Sequence, residues 1–563
     1  MRNPEDDPFG GWRHSGSITV RENFSTFCAL VTEAERFERE RDYDTAAIYA
    51  DIAADYAFSH HPGVFASSRL ERLLARIAGN CIPPFRVTQK KEAERQSSPQ
   101  RILHVATGLT PIGGITSLIW RWIKQDSGRC HSFVMTRQVK DEVPEYIRKA
   151  VANSGGRIHR LNRQAGGVIS WAVRLRQISA AVDLVVLHTS TYDVIPLLAF
   201  AGVERPPVIY INHADHVFSL GVSTSDVLAN LRESGLQLSQ QRRGVVFERN
   251  QLLPTPVDPR RRVHQRTTAK RQLGLPEDSI VLLSVARKVK FRTVDGLSYA
   301  DVHLPLLEKH KHCLLITVGS GVQEDWPEAV QRAQGRILAL AEQEKPDLFY
   351  EAADIYVDSF PFVSNTSLLE AGSYGLPLVS RYPFPPGCEV LGADMPGLAE
   401  TLIRVGNIDE YTAALVRLVE DENYRMNLGD LTRKNICESH VGVNWQRSLE
   451  ELYCRAIGLP RNRELSSFVD ELRIEELDMF MPYIHNTMCD GRVRELPDLL
   501  RSRLRVMPLA QCARHWFNLS KGRGVGRWVD GMPYMVPEWV LCRTRALWKG
   551  FLSDRLPAGA KRK

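Results

Sequence analysis

The stretch DLFYEAADIYVDSFPFVSNTSLLEAGSYGLPLVS, Asp347 to Ser380, decides how this chain folds. A short apolar run, Ile355-Tyr356-Val357, reads as a strand and ends in a proline-containing loop, Ser359 to Val363. A polar trio, Asn365-Thr366-Ser367, opens a helix with Glu370 one turn in, and Gly375-Leu376-Pro377 turns into a second strand, Leu378-Val379-Ser380. The start of a helix offers unpaired backbone N–H groups and the positive end of the helix dipole, which favour an anion. A strand, an anion-receptive helix start, a carboxylate and a second strand make a phosphate-binding unit of an α/β domain.

The same alternation runs outward in both directions. Downstream of residue 263, SIVLLSVAR, HCLLITVGSG, DIYVDSF and LPLVSRY are expected strands with helices between them. The helical stretch Asn444 to Ile457 is expected to close this unit, at residues 263–458. Upstream, ILHVAT is a strand leading into GLTPIGGITSLIWRWI, whose Gly113-Gly114 pair precedes an amphipathic helix. Further strands are expected at Ser132 to Met135, Asp183 to His188 and Pro207 to Ile211, giving a unit at residues 99–262. Strands alternating with helices predict parallel sheets covered on both faces. The Pro-rich segment Leu252 to Arg261 reads as a hinge. The fold class expected is therefore α/β, with two doubly wound, Rossmann-like domains facing a cleft, where ligands meet the carboxyl ends of the strands.

The two ends of the chain read as helical. Within residues 1–98, Phe27, Leu30, Val31, Ala34 and Phe37 recur at helical spacing, with further helical runs at Tyr43 to Phe58 and Val64 to Ile77. Asp42 to Tyr49 resembles one helical hairpin of the tetratricopeptide type, and the polar stretch Thr88 to Gln100 reads as a linker. Residues 459–563 are helical without alternation. From Arg501 onward, fourteen Lys and Arg face three Asp and Glu, an excess of +11, so the first 500 residues sum to −4. Trp516, Trp528, Trp539 and Trp548 punctuate this basic tail. Basic residues interleaved with tryptophan suit an anionic membrane surface or an acidic polymer; a helical appendage with tryptophans in its core fits the same residues.

Composition sets limits. The chain of 563 residues is 43% hydrophobic and 25% charged, as in ordinary globular proteins. No stretch of about 18 uninterrupted apolar residues marks a membrane span. The polar, acidic start, MRNPEDDPFGGWRHSG, is not patterned as a signal peptide. The ten cysteines are scattered, which suits reduced thiols in the cytoplasm. No nucleic-acid partner is expected.

The candidate chemistry gathers at strand ends. Arg287, Lys288 and Lys290 follow VLLSVAR, where cations are placed for a diphosphate. His213, Asp215 and His216 follow another strand, and His213 and Asp215 are the candidate catalytic pair, since a histidine with a near-neutral pKa serves as acid, base or hydroxyl orienter. Their spacing is not that of a zinc site. His188, Thr189 and Asp193 are secondary cleft candidates.

These residues together resemble a GT-B fold glycosyltransferase over residues 100–458. In the retaining family 4 enzymes, a basic pair after the first strand of the second domain grips the donor diphosphate, which implies Arg287 and Lys290 here. A glutamate in the following helix binds the ribose, which implies Glu370 in LLEAGSYGLPLVS. The resemblance further assigns Asn365, Thr366 and Ser367 to the phosphates, the segment at Ile337 to the base, Gly113 and Gly114 to the donor phosphate or acceptor, and His213 to the transferred sugar. Eight positions before Glu370, where the family usually has a second glutamate, this chain has Phe362. The loop SFPFVSNTSLLE also resembles that of bacterial family 41-like protein glycosyltransferases. The implied activity is transfer from a UDP- or GDP-sugar, used as co-substrate without a further cofactor and, as the resemblance implies, without an obligatory metal, to a glycan, lipid-linked or protein acceptor, in bacterial polysaccharide or glycoconjugate synthesis. A protein glycosyltransferase, a nucleotide-sugar epimerase and a non-catalytic scaffold of the same fold stay open, as does the stereochemical outcome.

Overall fold

The computed structural model describes residues 9–85, 98–110, 113–138, 143–258, 260, 262–294, 296–461, 470–485, 494–520 and 536–544. Seven strands form the first sheet: β1 (Arg101–Ala106), β2 (Cys130–Met135), β3 (Ile158–Arg160), β4 (Leu184–Leu187), β5 (Val208–Asn212), β6 (Val227–Asn230) and β7 (Asn250–Leu252). Six form the second: β8 (Ile280–Val285), β9 (Cys313–Val318), β10 (Ile337–Leu340), β11 (Ile355–Val357), β12 (Leu378–Arg381) and β13 (Leu402–Val405). Their spatial orders are β3-β2-β1-β4-β5-β6-β7 and β10-β9-β8-β11-β12-β13. Every pairing is parallel. Helices on both faces bury these strands, which explains continuous apolar runs such as VLLSV and CLLITV. In both sheets the order reverses beside the first strand, between β1 and β4 and between β8 and β11. Such a switch point opens a crevice at the carboxyl ends of the strands.

One helix crosses between the two halves. Helix Gly442–Gly458 was expected to close the second unit, but Trp445, Leu449, Leu452 and Tyr453 pack against Ile102, Leu184, Val186 and Ile209 of the first sheet. The Trp445 indole N–H donates to the carbonyl of Pro254, at 2.7 Å, pinning the helix to the hinge. The apolar stripe of this helix was visible in the sequence; the sheet it covers was not.

The chain's two ends form one layer. Helix Gly10–Arg39 lies against helix Tyr43–Ser59 as a hairpin, with helix Ser68–Cys81 after it. Helix Glu476–Ile484, from the far end of the chain, packs on Gly10–Arg39. Phe9 meets Phe480 at 5.2 Å and Phe384 of the second domain at 5.3 Å, and Trp12 stacks on Tyr483 at 4.7 Å. Beneath them the buried Asp478 accepts from His61, at 2.8 Å, and from Arg242 of the first domain, at 3.1 Å. Trp516 is buried in the same core as the first helices, and Trp539 is partly buried against it. Trp528, Trp548 and the terminal Lys561-Arg562-Lys563 lie outside the described residues, as does most of the Thr88 to Gln100 linker. Among the described residues no helix is long and apolar enough to cross a membrane, and no disulfide joins two described cysteines.

Candidate functional site

Both switch points open into one cavity of about 950 Å3 between the sheets. It is lined by Gly113, Gly114, Arg287, Lys290, Asn365, Thr366, Ser367, Glu370, His213 and Asp215, so ten of the eleven assigned residues converge from four separate segments. Ile337 is the exception. It begins β10, at the end opposite the cleft, and its side chain is buried in the second domain's core. The carboxyl end of that strand leads instead to Glu342 to Pro346, and those residues line the cavity.

On the second sheet the geometry is that of an anion cradle. Helix Asn365–Ser373 follows β11, and the hydroxyl of its N-cap, Ser364, meets the Val285 carbonyl at 3.2 Å and the Ser367 hydroxyl at 3.3 Å rather than a backbone amide of the first turn. The amides of Asn365, Thr366 and Ser367 therefore meet no acceptor among the described residues. Asn365 Oδ1 is buried without a partner among the described residues. Arg287 is exposed, and its guanidinium makes no hydrogen bond or ion pair with a described residue. Lys290 donates to the Val363 carbonyl at 2.8 Å, and its ammonium lies 5.0 Å over the Phe362 ring. Burial lowers its pKa, with Asp358 opposing that shift. Gly319, after β9, completes the floor: its φ is +91°, and a Cβ there would sit 2.4 Å from the Ala286 carbonyl oxygen, beside Arg287. Only glycine fits so near. Helix Asn365–Ser373 is likewise released by Gly375, at φ +76°.

Glu370 is not free. Its Oε1 accepts from Arg121 of the first domain at 2.6 Å, and Arg121 also holds Asp258 at 3.1 Å. Sequence reasoning missed Arg121, although it lies seven residues after Gly114, on the same helical face, two turns further along.

Across the cleft, His213 Nδ1 lies 3.2 Å from the Ile211 carbonyl, so it carries the hydrogen and leaves Nε2 as a lone pair. Burial brings its pKa down to about 4, and that of the neighbouring His188 down to about 3. Asp215 departs from the assigned catalytic role. Burial disfavours its charge, but a bidentate pair with Arg232, at 2.6 and 2.7 Å, outweighs that and holds its pKa well below the carboxylate range. Arg232 also donates to the carbonyls of Val390 and Gly392 in the second domain. Asp215 is thus a fixed anion in a strut between domains, not a proton carrier. Gly235 makes room for it, since a Cβ there would meet Asp215 Oδ2 at 2.5 Å. Asp193 is also structural: it accepts from Thr107 and Thr136 and caps helix Val194–Phe200. Phe362 packs on His216 at 4.9 Å, so an aromatic wall stands where a second carboxylate was the family's pattern.

These histidines make stability depend on acid. The unfolded chain takes up a proton at each ring near pH 6.5, whereas folded His213 and His188 wait until about pH 4 and 3. The unfolded state therefore binds more protons in that window, and stability falls as pH drops from about 6.5 towards 3–4. Denaturant midpoints measured across pH are expected to be flat above about 7 with respect to these groups and to decline below 6.5. The His213→Asn variant is expected to decline less steeply.

No protein-family model matches the chain, and no curated protein matches it. Among solved structures it is similar to HepE of Anabaena in complex with UDP and glucose, at 14% identity and a TM-score of 0.46, over 62% of this chain and 98% of that one. The O-GlcNAc transferase of Thermobaculum terrenum is similar at 13% identity and a TM-score of 0.44, over 79% and 84%. The UDP-GlcNAc 2-epimerase of Neisseria meningitidis, bound to UDP-GlcNAc, is similar at 14% identity and a TM-score of 0.41, over 62% and 99%. The fold is of the GT-B type. That assignment rests on the chain's own two parallel sheets and the cleft between their switch points.

Proposed function

We propose that this chain is a glycosyltransferase, moving a sugar from a nucleoside diphosphosugar held on the second sheet to an acceptor held against the first. The observation that carries this reading is the cradle beside β8 and β11: three unpaired amides, an unpaired arginine and Lys290, all aimed at one volume. Donors placed where negative charge develops as a diphosphate departs lower the barrier to that departure. Glu370 suits the ribose hydroxyls once Arg121 yields, and His213 faces the sugar with a lone pair. Protein cations and amides meet the diphosphate charge. The acceptor is a glycan, a lipid-linked sugar or a protein; the basic tail suits an anionic membrane face and would favour the second. Bacterial glycoconjugate synthesis is the setting that fits.

The test is a thermal-shift screen against UDP- and GDP-sugars. A donor at about 100 times its Kd is expected to add roughly 2.7 kcal/mol of stability. Glu370→Gln is expected to lose most of that gain. An epimerase would convert a sugar nucleotide with no acceptor present, and absence of any stabilisation would favour a scaffold.

A further inference from the structure

The first sheet carries a row of histidines that the chemistry above leaves unused. His188 follows β4, His104 sits within β1, and His131 is the second residue of β2. The strand order sets β4, β1 and β2 side by side, and the register staggers the three, with His104 opposite Val186 and His131 opposite Ile102. All three are buried. His188 Nε2 is 3.0 Å from His104 Nδ1, His104 Nε2 is 2.9 Å from His131 Nδ1, and His131 Nε2 is 2.9 Å from the Asp126 carbonyl oxygen. Trp122 covers His104 and His188 edge-on, at 5.7 and 5.6 Å.

The carbonyl at the far end dictates where every hydrogen sits. A carbonyl oxygen only accepts, so His131 Nε2 carries the hydrogen and its Nδ1 bears a lone pair. That lone pair accepts from His104 Nε2–H, which leaves His104 Nδ1 to accept from His188 Nε2–H. His188 Nδ1 is then a lone pair as well. Burial lowers the pKa of all three rings, in keeping with neutral imidazoles. His188 Nδ1 is buried, has no partner among the described residues, and belongs to a residue lining the cleft. A buried acceptor in that position lacks only a donor from a ligand.

Resting on the glycosyl-transfer reading, we infer that His188 Nδ1 receives the O–H or N–H of the acceptor nucleophile, and that His104 and His131 hold His188 in the tautomer that can do so. As the acceptor atom bonds to the anomeric carbon, its proton passes to His188 Nδ1. The bond from that carbon to the diphosphate oxygen breaks, and its electron pair leaves with the diphosphate. The imidazolium so formed keeps Nε2–H on His104. Its charge is eased along the row towards the Asp126 carboxylate, whose Oδ2 lies 3.4 Å from His131 Nε2. Arg129 and the Tyr453 hydroxyl fix that carboxylate, at 2.5 and 2.8 Å. His213 is the other titratable group facing His188. His188 is catalytic in this scheme; His104 and His131 are positioning residues.

Nitrogen-15 NMR of the histidine-labelled full chain reads the tautomer directly. His188 is expected with Nε2 protonated and Nδ1 bare. Turnover is followed as nucleoside diphosphate release from the donor identified by thermal shift, with methyl glycosides as hydroxyl acceptors. His188→Ala is expected to lower turnover by about 10²–10⁴-fold while the donor-induced thermal shift stays as in the wild type. His104→Phe keeps His188 and the packing under Trp122. It is expected to lower kcat by about 10–100-fold at unchanged donor KM, with a mixture of His188 tautomers appearing. A wild-type His188 protonated at Nδ1, or equal turnover in His188→Ala, overturns this inference alone. A wild-type chain that neither binds nor consumes any nucleotide sugar overturns the parent reading and this inference with it.

Discussion

Lys290→Ala is expected to cut sugar transfer by about 10²–10³-fold, the cost of losing one donor preorganised for a developing anion. The ammonium is already held in place by the Val363 carbonyl and the Phe362 ring, so on the proposed reading it would meet the departing diphosphate without reorganising. Arg287, being exposed, is more screened, and its alanine variant is expected to lose less, about tenfold. The same assay on both variants, with nucleotide-induced stabilisation measured alongside, separates lost binding from lost chemistry. A Lys290→Ala chain that transfers sugar at the wild-type rate would remove the cradle from the mechanism.

Asp215→Ala is expected to be the most damaging single change to stability, at about 3–5 kcal/mol, because it leaves the buried Arg232 guanidinium without its counter-ion. Arg232→Ala is expected to cost a similar amount and, in addition, to free the Val390 and Gly392 carbonyls. The double variant should lose less than the sum of the two, since the second deletion removes a charge already stranded. Urea unfolding of the three variants measures this. Strictly additive losses would mean that the two side chains do not act as a pair.

What the sequence disclosed follows from distance along the chain. Asn365 to Glu370 lie within one helix, and Arg287 and Lys290 within one loop, so local pattern was enough to group them. Both sheets were legible because their strands are short apolar runs bounded by turns. Strands with weaker apolar character, such as Ile158–Arg160 and Asn250–Leu252, passed unnoticed. Ile337 was placed by resemblance to a base-binding segment, but what matters is which end of a strand faces the cleft, and that depends on the sheet's direction. Asp215 looked catalytic because its partner, Arg232, is 17 residues on and meets it only after β5 and β6 pair. The histidine row was hidden for the same reason: His104 and His188 are 84 residues apart and become neighbours only through the reversal of strand order.

The layer formed by the two ends of the chain sets a timetable for folding. Arg13, in the first helix, bonds to Glu476, 463 residues later. At ordinary synthesis rates of about 5–20 residues per second, the first helix waits roughly 25–90 s for the segment that covers it. Throughout that interval Phe9 and Trp12 lack Phe480 to pack on, and for most of it Phe9 lacks Phe384 as well. The first helix, made early, is thus among the last elements to reach its final surroundings.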